Sequence, residues 1–481
     1  MLSSIWDLKN AGIVCDTSTD QYEWHEVREA RDNVSGTSNY RLYTNDRDQF
    51  FLPSNAYLSV DVQVKAGGSA VATSDRLGLV ADPWSIFEHA RLKFNNSEIA
   101  NLPQPGKACH MRKLVEMSPD YMQSVATISG YHPDEVSDGY VGTALGSTGS
   151  APNVTEKAAP AVGAAGTDVP GGMYESINYD VLATTTAGAY VTRNIKKNTT
   201  YNDAFRSRVD RSPNVQTLFI PLAEAFPILD DMGTVSKGLR IELELTKQSN
   251  VNRCVFGKFN ASAISIDISR ISMWIPRLRP STSMRQQVTA TLKEEQKLMV
   301  PYHHLDFFQS NLYSSSTQNG SFKVTSDTNR PSLVLVGFQH ASRDSDYRLN
   351  SLEFDRGTLQ SIHVRLNGQQ HPQEEFELSE QKYVRIVQGL HEIGAKSFQN
   401  YDGSLVDFKK FADGPHSLIA FNLAHHDRAL FDKSSIADLE IRWALSAAWP
   451  NSSDYQVCCA VVSERQLEAS LGKGDVALRK V

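Results

Sequence analysis

Strict period-two alternation of apolar and polar residues recurs along this chain. It constrains the fold more than any other feature, because side chains two apart on an extended backbone share one face. Between Tyr57 and Val64 the apolar positions Leu58, Val60, Val62 and Val64 alternate with Ser59, Asp61 and Gln63. Between Leu239 and Leu245, the apolar Leu239, Ile241, Leu243 and Leu245 alternate with Arg240, Glu242 and Glu244. From Ile264 the pattern passes through Ile266 and Ile268, slips phase and resumes at Ile271, Met273 and Ile275, as a strand with a bulge near Ser269 would. Further strand-like runs lie at Ala90 to Phe94, Leu218 to Leu222, Leu333 to Phe338, Ile362 to Leu366, Tyr383 to Val387, Leu418 to Leu423, Leu439 to Leu445 and Val457 to Val462. Helical patterning is confined to Lys107 to Glu116, Leu222 to Asp231 and Arg285 to Gln296, too sparse for the alternating helices of a parallel α/β sheet. An all-β chain of sandwiches is expected.

At 481 residues the chain exceeds one ordinary core. Two echoes point to two copies of one sandwich. The segment RLKFNNSEI in the first half answers IHVRLNGQQHP in the second, and LFIPLAEAF…LRIELEL answers LIAFNLAHH…LEIRWAL. The prolines of PRLRPSTSMRQ, Pro276 to Gln286, mark the change from one set of strands to the other. The expected division is an N-terminal arm at 1–37, a first sandwich at 38–280, a second at 281–465 and a C-terminal tail at 466–481. The Gly- and Ala-rich stretch Gly139 to Gly188 has too few large apolar residues for a core and is expected as an exposed loop inserted in the first sandwich. In the arm, Leu2, Ile5, Trp6, Leu8 and Ile13 stand near helical spacing.

Several classes of function are disfavoured. The net charge of −7 and the absence of Lys/Arg runs leave no footprint for a phosphate backbone, so sequence-specific nucleic-acid binding is not expected. No stretch approaches 18 apolar residues, and the opening MLSSIWDLKNAGIV lacks the regions of a secretion signal, so synthesis in the cytoplasm is expected. Cys15, Cys109, Cys254, Cys458 and Cys459 are odd in number and lack CxxC spacing, which predicts free thiols without a zinc site. There is no GxGxxG, Walker A, GxSxG or HExxH motif. The pairs His303-His304, Asp230-Asp231 and Glu374-Glu375 place neighbours on opposite faces of an extended chain, and His425-His426-Asp427 reads as a solvated turn. Trp24, Trp84, Trp274, Trp443 and Trp449 look scattered and are expected in core or interface packing, without a surface stripe with basic partners for stacking bases. No catalytic, cofactor-binding or metal-ligating residue is therefore assigned.

The order of segments resembles the double jelly-roll major capsid proteins of double-stranded DNA viruses, of the virophage, Polinton-like virus and giant-virus-relative type. The resemblance spans nearly the whole chain: FFLPSNAYLSVDVQV opens the first roll, PWSIFEHARLKFNNSEI and HMRKLVEMSPDYM follow, LFIPLAEAFPILDDM…LRIELELTK comes after the long loop, and ISRISMWIPRLRPS closes the roll. The stretch FQHASRDSDYRLNSLEFDRGTLQSIHVRLNGQQHP continues the order into a second roll. The large insertion after Tyr140 departs from the family in loop length only.

The resemblance implies two consecutive eight-stranded antiparallel jelly rolls with short inserted helices. It further implies a homotrimer with a pseudo-hexameric outline, tiling an icosahedral virion capsid beside neighbouring capsomers, penton and minor capsid proteins, with an internal membrane as a candidate partner of the arm. The loop at 139–188 would then belong to the outer tower. Two rivals differ in class. A carbohydrate-binding or carbohydrate-active sandwich would gather Trp443 and Tyr455 with other aromatics on a concave face. A minor capsid or receptor-binding protein would lack the second complete roll.

Overall fold

The alternating runs become strands whose apolar positions turn inward: Leu58, Val60, Val62 and Val64 are fully buried, as are Leu92, Leu243 and Leu245 on the facing sheet. Burial of each such side chain contributes about 1.5–3 kcal/mol, so a one-residue slip in register would expose a whole row. The computed structural model describes residues 19–29, 38–44, 49–71, 77–118, 122, 124–131, 133, 140–142, 154–156, 214–232, 236–237, 239–257, 263–286, 297–328, 330–345, 347, 350–378, 383–397, 404–406, 411, 416–423, 437–449, 454–472 and 475–480.

The principal strands of the first half are β1 (Thr19–Arg28), β2 (Asn39–Tyr43), β3 (Tyr57–Ala66), β4 (Phe87–Phe94), β5 (Ser97–Pro103), β6 (Gln216–Pro221), β7 (Ile241–Lys247) and β8 (Ile264–Pro280). They pair antiparallel in two sheets, in the orders β1-β8-β3-β6 and β2-β7-β4-β5. The second half supplies β9 (Lys297–Gln309), β10 (Asn319–Thr328), β11 (Pro331–His340), β12 (Leu359–Leu366), β13 (Gln369–Glu377), β14 (Leu418–Asn422), β15 (Ala437–Leu445) and β16 (Tyr455–Gly472). Its sheets run β9-β16-β11-β14 and β10-β15-β12-β13, the same two orders. Shorter strands extend these sheets, among them Phe50–Phe51 and Ser236–Lys237 in the first half and Asp475–Lys480 in the second.

The repetition reaches individual hydrogen bonds. Asn95 and Asn96, both at positive φ, turn β4 into β5, and Asn367 and Gly368 do the same between β12 and β13. Positive φ at both central residues is the geometry that matches the twist of a tight hairpin, and Asn and Gly adopt it at least cost. The Asn95 carboxamide oxygen accepts from the Arg240 amide at 2.8 Å, while the Asn95 amide donates to the Arg240 carbonyl at 2.9 Å. Asn367 makes both bonds with Asp438, at 2.8 and 2.9 Å.

A helix follows the hairpin in each half: α1 (Pro105–Glu116) after β5, and α2 (Tyr383–Ser397) after β13. The second corrects the expected strand at Tyr383 to Val387. Ile386, Leu390 and Ile393 are buried at spacings of four and three, so the short run belongs to a helical stripe that four or five residues do not reveal. The expected bulge lies at Ser269, where the register of β8 against β3 shifts between Ile268 and Arg270. The expected helix at Leu222 to Asp231 is two short pieces, a 3-10 turn at Leu222–Glu224 and a helical turn at Ile228–Asp231. Of the helix expected at Arg285 to Gln296, one turn at 282–286 is described.

Strands run across two of the expected divisions. Strand β1 lies inside the expected arm and pairs along β8, and the end of β16, paired with Asp475–Lys480, runs through the expected tail. In the expected loop at 139–188, Tyr140–Gly142 pairs with Val154–Glu156, and the remainder lies outside the described residues, as does the arm at 1–18.

Candidate functional site: a covered sheet face and an open one

The β9-β16-β11-β14 sheet is buried on both sides. Phe338, Tyr455 and Phe421 point inward, and Phe338 and Tyr455 pack on Trp443 of β15. Residues of the opposite phase, Gly337, Gln339, Cys458 and Ala460, face outward and are nonetheless buried, because the first half and the loop after β11 lie over them. Phe354 of that loop packs on Gly337, where any Cβ would meet its ring, and stacks on His110 of α1 at 6.4 Å.

Polar contacts along this seam converge on Asp344. Lys107, buried on α1, donates to Asp344 and to Gln339, each at 2.8 Å. Arg253 reaches Asp344 at 3.0 Å, and Gln309 and Gln456 each donate to it at 3.2 Å. Burial alone would raise the Asp344 pKa, but the adjoining Lys107 and Arg253 charges more than offset it and hold the carboxyl at about 2. Gln104 and Gln309 join across the seam at 2.7 Å. Asp231 accepts the His303 amide at 2.6 Å and lies 3.2 Å from its ring, and this contact raises the His303 pKa against the effect of burial.

Two further charge clusters sit within single halves. Lys113 lies 2.5 Å from Glu224 and 3.1 Å from Asp82, all buried beneath α1. Burial pushes the Asp82 carboxyl up, opposed by Lys113. Arg343 grips Asp355 with two nitrogens, at 2.5 and 2.9 Å, and Glu353 at 2.7 Å, pinning the loop that carries Phe354. Every charge in these clusters has an internal counterpart, which suits them to hold elements together rather than to meet a reactant.

The residues weighed in the sequence are not brought together. His304 turns away from His303 to Asp306, at 3.0 Å. Glu374 meets Arg385 at 3.5 Å, and Glu375 lies 3.2 Å from His363. Cys458 donates to Gln339, and burial raises its pKa to about 11 and that of Cys459 further still. Cys109 and Cys254 are likewise buried free thiols. His425-His426-Asp427 and Cys15 lie outside the described residues. Among the described residues no group of His, Cys, Asp and Glu could hold a metal ion, and no helix is long and apolar enough to cross a membrane.

The tryptophans divide. Trp84 is buried, donating to Glu224 at 3.2 Å, and Trp443 and Trp449 are buried around Tyr455, which removes the concave aromatic face of the carbohydrate reading. Trp24 and Trp274 are not scattered but belong to one aromatic stripe. On the outer face of the β1-β8-β3-β6 sheet, Trp24 lies 6.2 Å from Tyr22 and 5.1 Å from Tyr57, which in turn stacks on Trp274 at 6.3 Å and meets Phe219 edge-on at 5.4 Å. Tyr22, Trp24 and Phe219 are 49%, 44% and 37% exposed. Four strands distant in sequence each contribute an outward position, so no local window contains the stripe.

The family model of the double jelly roll-like domain matches residues 172–465, and the chain belongs to that family. Among solved structures it is similar to a chain of the Sputnik virophage (TM-score 0.54, 11% identity, 98% of this chain and 90% of that one). It is similar also to the mavirus major capsid protein (0.53, 10%, 100% and 94%) and to the Faustovirus major capsid protein (0.51, 10%, 95% and 92%). No curated protein matches the sequence. At such identities the likeness is one of fold: two jelly rolls in tandem.

Proposed function

We propose that this chain is a major capsid protein of a double-stranded DNA virus, a structural subunit without catalytic activity that assembles as trimeric, pseudo-hexameric capsomers of an icosahedral shell. The observation that carries the reading is the repetition of one strand order, β1-β8-β3-β6 with β2-β7-β4-β5, in both halves of a chain fused by a buried seam. Two like units side by side in one subunit let three subunits approximate a hexagon, and hexagons tile. The fold shared with the mavirus and Faustovirus major capsid proteins supports it. In this reading the chain resides in the virion, the first roll is bounded near residue 280, and neighbouring capsomers, penton and minor capsid proteins are its partners. The test is native mass measurement with negative-stain imaging of the purified chain. Particles of about three chain masses with six-sided outlines are expected, and a monomer at every concentration and salt would refute the reading.

A further inference from the structure

Helix α1 is held from two sides. Toward the second half it gives Lys107 to Gln339 and Asp344, stacks His110 on Phe354, and accepts the Ser404 hydroxyl (2.7 Å) and the Leu405 amide (3.0 Å) on the Leu114 carbonyl. Toward the first half it is anchored by Lys113, which serves both Glu224 at 2.5 Å and Asp82 at 3.1 Å, all three side chains buried. Two carboxyl groups therefore share one ammonium. The other charges around them are committed elsewhere: Arg112 to Glu116 and to the Ala223 and Glu224 carbonyls, Lys107 to Asp344, and Asp231 to His303, while Asp230 is exposed. His110 turns to the Tyr131 hydroxyl at 3.2 Å, and the Tyr131 ring lies 4.6 Å from the Lys113 ammonium. The Cys109 thiol donates to the Glu224 carbonyl, and burial pushes its pKa up, so it adds no charge. On β3, Asp61 and Lys65 turn to Thr217 and Asp267, and neither the 3-10 turn Pro83–Ile86 nor β6 carries a titratable side chain.

With both carboxyls ionised the pocket would hold an unbalanced negative charge away from water, which is costly. Trp84 serves one oxygen of each: its amide donates to Asp82 Oδ1 at 3.0 Å and its indole to Glu224 Oε2 at 3.2 Å. The other two oxygens, Asp82 Oδ2 and Glu224 Oε1, are buried and receive no hydrogen bond among the described residues. A proton on Asp82 cancels the excess charge and turns one of these acceptors into a donor. Asp82 is the site for it, being farther from Lys113 than Glu224 is. We propose that Asp82 is a proton-operated latch on α1: protonated, it seats the helix that joins the two halves, and ionised, it lets that helix open more often and slackens the seam. Burial, opposed by Lys113, raises the Asp82 carboxyl to about 6 in the folded chain, against about 4 when unfolded. Its stabilisation is therefore full below pH 4 and is lost as the pH rises through 6, the opposite sense to Asp344. The latch is a property of the single chain and stands apart from the capsid reading.

The test is hydrogen exchange of the full-length chain, read by mass spectrometry on the α1 segment and corrected for the intrinsic pH dependence of amide exchange. In wild type, α1 should open about tenfold more often at pH 7.5 than at pH 5, the part of the roughly hundredfold span between the two carboxyl values that falls in this range. Asp82→Asn keeps the acceptor for the Trp84 amide and carries no charge, so its α1 should exchange at pH 7.5 as slowly as wild type does at pH 5. Glu224→Gln removes the excess charge by the other route, leaves Asp82 paired with Lys113, and should also abolish the step. His303, whose pKa its contact with Asp231 raises, also loses stabilisation as the pH rises, so His303→Asn is the control and should keep the α1 step. Equal opening of wild-type α1 at both pH values overturns the latch, as does a step that survives in Asp82→Asn and Glu224→Gln. Faster exchange of Asp82→Asn at both pH values makes Asp82 a merely structural cap and overturns it too. Should one of the two variants fail to fold, the other, set against His303→Asn, decides the same question.

Discussion

Two sheets of one topology have been driven to opposite surface chemistry by what lies over them. On the covered face of the second half the outward row sets the small or polar Gly337, Gln339, Cys458 and Ala460 beside the buried Leu335 and Phe307, and Gly337 leaves room for the Phe354 ring to approach closely. On the open face of the first half the equivalent strands carry Trp24, Tyr57, Trp274 and Phe219, side chains with room to stand away from the backbone. The ion pairs divide in the same way: Lys107 and Asp344 are buried at the seam, whereas Lys65 and Asp267 meet at 2.6 Å on the open face with both side chains partly in water. The fold is repeated, and the environment selects the residues.

That contrast is broken most strongly at Lys107. Lys107→Met leaves Asp344 buried with Arg253 as its remaining cation and strips a donor from Gln339, so a loss of about 3–5 kcal/mol is expected in denaturant unfolding. Lys65→Met, removing an ion pair of similar length from the open face, should cost no more than about 1 kcal/mol. Equal costs would mean that the seam is not the dry interface its burial indicates.

Acid should act on the seam next. The Asp344 carboxyl is held at about 2, below its unfolded value near 4, so its contribution is full above pH 4 and is lost as the pH falls toward 2. The size is about 2 kcal/mol, and Asp344→Asn should flatten that part of the stability profile. Unchanged acid sensitivity in Asp344→Asn would place the acid-labile group elsewhere.

Much of this architecture can be read along the chain, because strands with one wet face record their pairing as alternation. The row Leu58 to Val64, the phase slip at Ser269 and the Asn-rich turns are such records, each local and each repeated in the fold. Strand β1 escapes because one face packs and the other holds aromatics and charges together, which blurs the alternation. Helix α2 escapes because its first five residues, Tyr383 to Val387, are rich in aromatic and β-branched side chains and too few to show a helical period. The seam left one local trace, a lysine on the packed stripe of α1 formed by Lys107, His110, Met111 and Leu114, but its partners Gln339 and Asp344 stand over two hundred residues away. The aromatic face left none, since Tyr22, Tyr57, Phe219 and Trp274 meet only once four strands are paired.

The smallest expected effect sharpens the comparison furthest. In the dilute, unassembled chain Trp24 touches water and two tyrosines, so Trp24→Ser should change unfolding by no more than about 1 kcal/mol. The buried Trp443, which donates to the Tyr455 hydroxyl at 3.1 Å, should cost about 3–5 kcal/mol on truncation to Ala at any concentration. If copies of the chain meet through the open face, mass action makes the cost of Trp24→Ser grow as chain concentration rises while that of Trp443→Ala stays constant. Thermal unfolding of both variants and wild type across a concentration series separates the two behaviours. A Trp24 cost that is large already in the dilute chain would mean that the open face is packed within a single copy, and the contrast between the two sheets would then disappear.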